Sequence, residues 1–186
     1  SRIMKKEIFF DLETQRWSTE VEGGWNNIRG FGLSIAVSWD KGHGFRDWSE
    51  SKVQELIKEL AQFDTIIGFN LLKFDYEVLS GYADDVHMLL DGKTFDIFID
   101  VKDRLPHDVK WPSLEEISSP TLGIEKLGTG YEAVSWFQEG KIKEVINYCR
   151  QDVELTREIY EYGREHGLIY YCPTRGVRIE VKVDWK

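Results

Sequence analysis

The chain has 186 residues, of which 41% are hydrophobic and 31% are charged, a composition typical of a folded globular domain. Its 24 Lys and Arg residues against 33 Asp and Glu residues give a net charge of −9, which excludes a broadly basic surface for nucleic acid. A local nucleic-acid site is compatible with this charge where metal ions supply the positive charge.

The cellular compartment is inferred from features that the sequence lacks. No apolar run approaches the roughly 18 residues of a membrane helix, so no membrane association is expected. No signal segment is recognised at the N-terminus, and residues 1–3, which precede Met4, are expected to be an addition left by cloning. Cys149 and Cys172 do not make a disulfide framework. We therefore expect a cytoplasmic protein.

Apolar periodicity predicts the elements in chain order. Strands are expected at 3–12, 30–39, 43–48 and 65–69, and a hairpin at 167–186 around the turn 173–176. Helices are expected after Ser49, over 74–82 and over 141–165, with 94–101 extended or running from strand into helix and 102–130 rich in loops. The order predicts one α/β domain over residues 1–186, with a mixed central sheet flanked by helices and a C-terminal β-hairpin.

Two carboxylates stand at the end of the first, mostly apolar strand. Asp11 and Glu13 are two residues apart, so they point to the same face of that strand. Like charges about 4 Å apart repel by roughly 4 kcal/mol at an effective dielectric constant of 20. A cation between the two groups would offset this repulsion. The alternative is a strand end that emerges into solvent, where both residue types are common.

A second polar feature follows the strand predicted at 65–69. Asn70 ends that strand, and Asp75 begins the next helix five residues later. Helix capping would explain Asp75, and an ordinary turn would explain Asn70.

A third feature lies inside the long C-terminal helix. Tyr148 and Asp152 are four residues apart, so they stack on one flank of its apolar stripe. No basic residue lies on that flank of the same helix, so Asp152 either binds a cation or pairs with a basic residue from elsewhere.

These three features together carry a resemblance to a known family. Phe10-Asp11-Leu12-Glu13-Thr14, then Asn70 with Phe74-Asp75, then Tyr148-Cys149-Arg150-Gln151-Asp152 resemble the three motifs of the DEDD 3′–5′ exonucleases. That family belongs to the RNase H-like superfamily and includes the proofreading domains of family B DNA polymerases. The resemblance spans residues 8 to about 160. Tyr148 lies four residues before Asp152, as in the tyrosine subclass, and Asn147 stands where the histidine subclass has His.

The resemblance implies a site for two divalent cations, Mg²⁺ or Mn²⁺. Asp11 would bridge both ions, Glu13 and Asp152 would bind the water-activating ion, and Asp75 would support the second ion. These all-oxygen ligands suit hard cations. By the same similarity, the hydroxyl of Tyr148 would orient the attacking water.

Substrate contacts are also implied by the resemblance. Thr14 is expected to contact the terminal sugar and Asn70 to help hold the strand, and Phe74 either packs under a base or belongs to the core. Trp17 and Trp25, in the loop after Glu13, either stack unpaired bases or pack over the sheet. Cys149 is interpreted as a small core residue, and Asp96 and Asp100 as structural carboxylates.

We expect a metal-dependent 3′–5′ exonuclease that acts on the 3′ ends of single-stranded DNA. One alternative is an exoribonuclease or oligoribonuclease with the same site. Another is an inactive nucleic-acid-binding module of a larger repair or replication assembly. A polymerase or a helicase is the expected protein partner.

Overall fold

The computed structural model describes residues 4–126 and 128–186. The addition predicted at residues 1–3 therefore lies outside the described residues. The strands are β1 Glu7–Thr14, β2 Leu33–Asp40, β3 Gly44–Ser49, β4 Thr65–Gly68, β5 Thr94–Asp96, β6 Leu168–Thr174 and β7 Val177–Lys182. The α-helices are α1 Val53–Leu60, α2 Tyr76–Leu79, α3 Val86–Leu90, α4 Ile97–Arg104, α5 Leu114–Leu122, α6 Gly130–Gln138 and α7 Ile142–His166.

The central sheet has five strands in the order β3-β2-β1-β4-β5. The strand β2 is antiparallel to both β1 and β3, whereas β4 is parallel to both β1 and β5. The sheet is therefore mixed, as the sequence predicts. Because β1, β4 and β5 are parallel, the loops that follow them leave from one edge of the sheet.

Two hydrophobic clusters cover the two faces of this sheet. Ile8, Phe10 and Leu12 of β1 pack with α1, α2 and α3 on one face. Phe9 packs on the other face with α4, α5, α7 and the C-terminal hairpin. Alternate residues of β1 thus serve opposite layers, and Asp11 and Glu13 follow Phe9 on the α7 face.

Several element boundaries differ from the prediction. Ser49 precedes a 3₁₀ turn rather than α1, and its hydroxyl bonds to the Ser51 hydroxyl instead of capping the backbone. The helix predicted over 74–82 is instead a π-helical turn, Leu71–Asp75, followed by the short α2. The segment 94–101 runs from β5 into α4, one of the two alternatives.

The C-terminal hairpin forms a two-stranded antiparallel sheet of its own. It packs on α5 and α7 rather than pairing with the central sheet. After β7, the Trp185 indole stacks on Tyr160 of α7 with ring centroids 5.9 Å apart. Within residues 4–126 and 128–186, no helix is both long and apolar enough to cross a membrane.

Candidate active site

The first two carboxylates lie on the central strand of the sheet. Asp11 is half-buried, and Glu13 is buried at 8% exposure. The pairing of β1 with β2 shifts register between Glu13 and Thr14, so β1 is irregular where it leaves the sheet. The alternative of a solvated strand end therefore does not describe Glu13, which is enclosed by the fold.

The third carboxylate comes from the π-helical turn. Tyr76 N–H bonds to the carbonyl of Leu71, five residues earlier, which is the spacing of a π-helix. Asp75 is 2% exposed and caps no helix; its Oδ2 accepts a hydrogen bond from Leu12 N–H at 3.2 Å. This bond joins the turn to β1 between Asp11 and Glu13. Helix capping is therefore not the role of Asp75.

The fourth carboxylate comes from α7, whose apolar stripe packs on the sheet. Asp152 is 7% exposed, and its charge acts on the carboxyl of Asp11. One turn earlier, Tyr148 is 2% exposed, and its ring lies edge-to-face with Trp136 at 6.0 Å. The helical spacing of the two residues brings both to the carboxylates of β1, as the sequence predicts.

A lysine from the loop before α6 completes this group. Lys126 Nζ lies 3.2 Å from Asp152 Oδ1 and 4.8 Å from the centroid of the Tyr148 ring. The contact is an ion pair, and Asp152 Oδ1 accepts no well-aligned hydrogen bond. The pairing of Asp152 with a basic residue from elsewhere, left open by the sequence, is thus observed. This ammonium acts on Asp11, Glu13 and Asp152, and a single positive charge offsets only part of theirs.

Burial raises the pKa of every carboxyl in the group, and the charges of neighbouring carboxylates add to the rise at Asp11, Glu13 and Asp75. Burial is the main cause for Asp11, followed by the charge of Asp152. The pKa of Glu13 is raised by burial and then by the charges of Asp11 and Asp152. Burial, then the charge of Asp11, does the same for Asp75. Lys126 opposes the rise at Asp152, although burial prevails there. The folded protein therefore favours bound protons or cations at this place.

The donor set suits divalent cations. Ligand atoms of Asp11, Glu13 and Cys149 lie within 4.8 Å of one another. The carboxylates offer the oxygen ligands that Mg²⁺ and Mn²⁺ prefer, and binding of either ion would remove the repulsion that raises their pKa. The buried Asp152 Oδ1, which contacts Lys126 without accepting a well-aligned hydrogen bond, could also bind an ion. These residues fit the two-ion site implied by the sequence, and their roles as ligands remain a prediction.

Cys149 packs in the hydrophobic core and also contacts Asp11. It is fully buried in the α7 cluster, as predicted for a small core residue. Its thiol also donates to the Asp11 carbonyl at 3.4 Å and lies 3.6 Å from Asp11 Oδ2. Burial and the nearby carboxylates raise the pKa of the Cys149 thiol, so it stays protonated and acts as a donor.

Asn70 is held at the same edge by Asp96. Asn70 has left-handed backbone angles (φ 61°, ψ 34°), which asparagine tolerates better than most residues. Asp96 Oδ1 accepts its N–H at 2.8 Å, and Asp96 Oδ2 accepts Leu72 N–H at 3.1 Å. The Asn70 side-chain oxygen is buried and has no hydrogen-bond partner. Such an acceptor is costly unless a ligand or water donates to it.

The other predicted contact residues have mixed surroundings. Thr14 is buried, and its hydroxyl donates to the Arg16 carbonyl at 3.3 Å. Phe74 packs against the first core cluster and also lies 6.1 Å from the ring of Trp25, which is 66% exposed. Trp17 instead stacks on Tyr131 at 4.9 Å. Of the two tryptophans in this loop, Trp25 leaves more of its ring open to a base.

Comparison with known proteins identifies the family. The RNase H superfamily model matches residues 8–163, which contain the four carboxylates and Tyr148. The chain belongs to the RNase H superfamily.

No curated protein sequence matches it. Among solved structures, it is similar to the family B DNA polymerase of the hyperthermophilic archaeon Pyrobaculum calidifontis, with a TM-score of 0.65 and 13% identity. The match covers 87% of this chain and 25% of the polymerase, so this chain spans about a quarter of that protein.

Membership of the RNase H superfamily supports nuclease activity in general and the use of divalent metal ions. The superfamily fold accounts for the mixed sheet, and its central strand supplies two of the four carboxylates. The tyrosine subclass, the direction of cleavage and the substrate stay predictions.

Two residues of this RNase H-like site were not recognised as part of it in the sequence. Lys126 lies in a loop-rich segment without periodicity, 26 residues before its partner Asp152. Asp96 was interpreted as a structural carboxylate, and its contacts with Asn70 and Leu72 were not foreseen. Its position at the end of a short strand, before a helix, was the available signal.

Proposed function

We propose that this protein is a metal-dependent exonuclease that removes nucleotides from the 3′ end of single-stranded DNA. The observation that carries the proposal is the convergence of Asp11, Glu13, Asp75 and Asp152, from three separate segments, beside Tyr148. When bound, two divalent cations supply a water of lowered pKa and stabilise charge on the leaving oxygen. The resemblance of the motifs to the tyrosine-subclass exonucleases supports the same assignment.

Tyr148 is suited to orienting water rather than to removing its proton. Burial and the charge of Asp152 raise the pKa of the Tyr148 hydroxyl above its usual value near 10. The hydroxyl is therefore protonated at neutral pH and can donate or accept a hydrogen bond. Its contribution is to hold the attacking water in line with the phosphodiester bond.

Asn70 supports the 3′ direction of cleavage. Its buried side-chain oxygen lacks a donor, and the 3′-hydroxyl of a terminal nucleotide is a donor of the right kind. Asp96 fixes the backbone of Asn70 by a hydrogen bond, so the oxygen is held before substrate arrives. An internal phosphodiester has no free 3′-hydroxyl, which favours an end over the interior of a strand.

Strand shortening tests the proposal directly. A 5′-labelled single DNA strand with Mn²⁺ should yield a ladder that shortens from the 3′ end. Chelator, or a phosphate on the 3′ end, should prevent it. The Asp11→Asn variant should be inactive, whereas Asp100→Asn, which changes a carboxylate bonded to Arg104 and Trp185, should keep the activity.

Two substrates separate the alternatives in the same assay. A circular single strand has no end, so cuts within it would show a general nuclease and contradict the exonuclease proposal. An RNA strand of the same sequence tests the ribonuclease alternative, because faster shortening of RNA than of DNA would assign the substrate to RNA.

A further inference from the structure

An exposed tryptophan lies on the β5 side of the candidate site and is not explained by the proposed chemistry. Trp111, in the loop between α4 and α5, is 66% exposed. Its ring packs edge-to-face on Phe98 of α4, with centroids 6.2 Å apart. Lys102 Nζ lies 4.7 Å from the centroid of Trp111 and 5.9 Å from that of Phe98. We refer to Phe98, Lys102 and Trp111 as the aromatic ledge.

The loop that carries Trp111 is fixed on both sides. The residue before it, Lys110, accepts a hydrogen bond from the Tyr171 hydroxyl through its carbonyl and pairs with Glu116 through its ammonium. The residue after it is Pro112, which restricts Trp111 to extended backbone. The loop thus holds the indole in solvent in a fixed position, so fixing the Trp111 side chain on binding would cost little conformational entropy.

The aromatic ledge is connected to the site by shared contacts. Asp96 Oδ1 accepts both the Asn70 N–H and the Phe98 N–H, at 2.8 Å and 3.1 Å. In addition, the Phe69 ring, adjacent to Asn70 in the chain, packs on Phe98 with centroids 5.5 Å apart. A continuous set of contacts therefore leads from Asn70 to the exposed face of Trp111.

The charge of the aromatic ledge suits a nucleic-acid backbone. Among the described residues, no carboxylate lies within ion-pair distance of Lys102, whereas the neighbouring Asp100 is bonded to Arg104 and Trp185. An ammonium beside the exposed ring of Trp111 combines a phosphate contact with a stacking surface, the pattern by which proteins bind single strands without reading sequence.

We propose that the aromatic ledge binds the single strand upstream of its 3′-terminal nucleotide, with a base stacked on Trp111 and a phosphate near Lys102. The inference rests on the proposed function, because it needs a strand whose 3′ end lies at the carboxylates. The aromatic ledge would then set the minimum length of a good substrate. Strands too short to reach Trp111 would be cleaved without its help.

Binding and cleavage measured on strands of different length test the inference. With chelator, so that no strand is cut, Trp111→Ala should raise the Kd of a fluorescent 10-nucleotide DNA by roughly 5- to 100-fold, as loss of one stacked base does. With Mn²⁺, the same variant should raise KM for the 10-mer by a similar factor. Its kcat, and its KM for a dinucleotide, should stay within about twofold of the wild-type values. Trp111→Phe, which keeps a ring, should restore part of the affinity.

Lys102→Met tests the phosphate contact separately. It should lower the slope of log Kd against log salt concentration by about 0.7, the change expected for one phosphate on a single strand. A melting curve of each variant excludes loss of the fold as the cause of weaker binding.

Trp25→Ala tests the competing route, since Trp25 is equally exposed and packs on Phe74 instead of Phe98. If Trp25→Ala weakens binding of the 10-mer and Trp111→Ala does not, the strand contacts Trp25 instead of Trp111 and the inference is overturned. Wild-type affinity of Trp111→Ala in chelator would also overturn it, whatever the cleavage assay shows. If the wild-type protein binds through Trp111 yet shortens no strand, the proposed function fails while the binding surface stands.

Discussion

The ammonium of Lys126 lies 3.2 Å from Asp152 Oδ1 and above the ring of Tyr148, so one lysine contacts both α7 residues of the candidate site. The carboxylates of this enclosed site disfavour one another's charge, and Lys126 lowers the pKa of Asp11, Glu13 and Asp152 against that effect and against burial. The same ammonium would repel an incoming divalent cation. We therefore expect Lys126 to stabilise the metal-free protein and to weaken metal binding.

Lys126→Met should separate these two effects. We expect the Kd for Mn²⁺ to fall by about tenfold, since a divalent ion and an ammonium about 6 Å apart repel by about 1.4 kcal/mol in a water-like dielectric. In chelator, the variant should melt below the wild type. Titration calorimetry and melting curves measure the two quantities. Lys110→Met, which removes an exposed ion pair with Glu116, should change neither by much. Unchanged Mn²⁺ affinity in Lys126→Met would contradict the electrostatic role.

The raised carboxyl pKa values predict how stability depends on pH without metal. Above about pH 4 the unfolded chain releases its carboxyl protons, while the folded protein retains those of Asp11, Glu13 and Asp75. The unfolded state then binds fewer protons, so their contribution to stability falls as pH rises towards the raised folded pKa values.

Asp11→Asn removes one of these charges at nearly constant volume. In chelator, it should melt close to the wild type at pH 5 and above it at pH 8, by about 2–4 °C for each kcal/mol of repulsion relieved. Mn²⁺ at a hundredfold excess over its Kd should raise the wild-type melting temperature by roughly 5–10 °C and that of the variant by much less. A variant that melts lower at pH 8 in chelator and keeps the full Mn²⁺ response would contradict a cation site at Asp11.

Tyr148→Phe should affect cleavage far more than metal binding. Loss of the hydroxyl removes a group that positions water, and we expect kcat to fall about 10- to 1000-fold. The Mn²⁺-induced melting shift should stay, because no carboxylate is lost. Tyr171→Phe is the matched control: Tyr171 is also fully buried, but its hydroxyl donates to the Lys110 carbonyl. It should lose about 1 kcal/mol of stability and keep its kcat.

Asp96→Asn should disturb the site through the backbone. Asp96 accepts N–H groups of Asn70, Leu72 and Phe98, and an amide in its place would turn a donor towards at least one of them. We expect a loss of about 1–3 kcal/mol and a rise in KM for the strand. Asp100→Asn, in the helix that follows Asp96, should lower stability through its bonds to Arg104 and Trp185, with KM unchanged. Equal KM values in the two variants would show that Asp96 stabilises the fold alone.

The regular elements of the site could be predicted from sequence because each has a simple period. Two-residue alternation in β1 places Asp11 and Glu13 on one face, and four-residue spacing in α7 aligns Tyr148 with Asp152. The C-terminal hairpin and the mixed sheet were predicted from the same kind of pattern and are confirmed. The subclass, the cytoplasmic location and a polymerase or helicase partner stay predictions.

What the sequence did not predict depends on irregular backbone or on contacts between distant segments. Lys126 reaches Asp152 from a loop without periodicity, and such a pairing leaves no local pattern. The helix was predicted to begin at Phe74, and no residue type in the sequence signals the π-helical turn that begins at Leu71. Asp96 contacts both Asn70 and Phe98 and so joins β5 to the turn after β4. This contact requires β4 and β5 to be neighbours in the sheet, and the spacing of residues along the chain does not predict strand order.

Because of the π-helical turn, the position of Asp75 depends on the number of residues between Asn70 and Asp75 more than on their identity. Leu71 packs tightly on the end of β4, where a side chain at Gly68 would lie 2.4 Å from Leu71 Cγ, so the start of the turn cannot slide. The bond from Leu12 N–H fixes its end at Asp75. Deleting one residue between these two fixed points would rotate Asp75 by about 100° around the helix axis, away from β1. Substitutions at Leu72 or Lys73 preserve that count, so a deletion here should abolish function where replacements of the same residues do not.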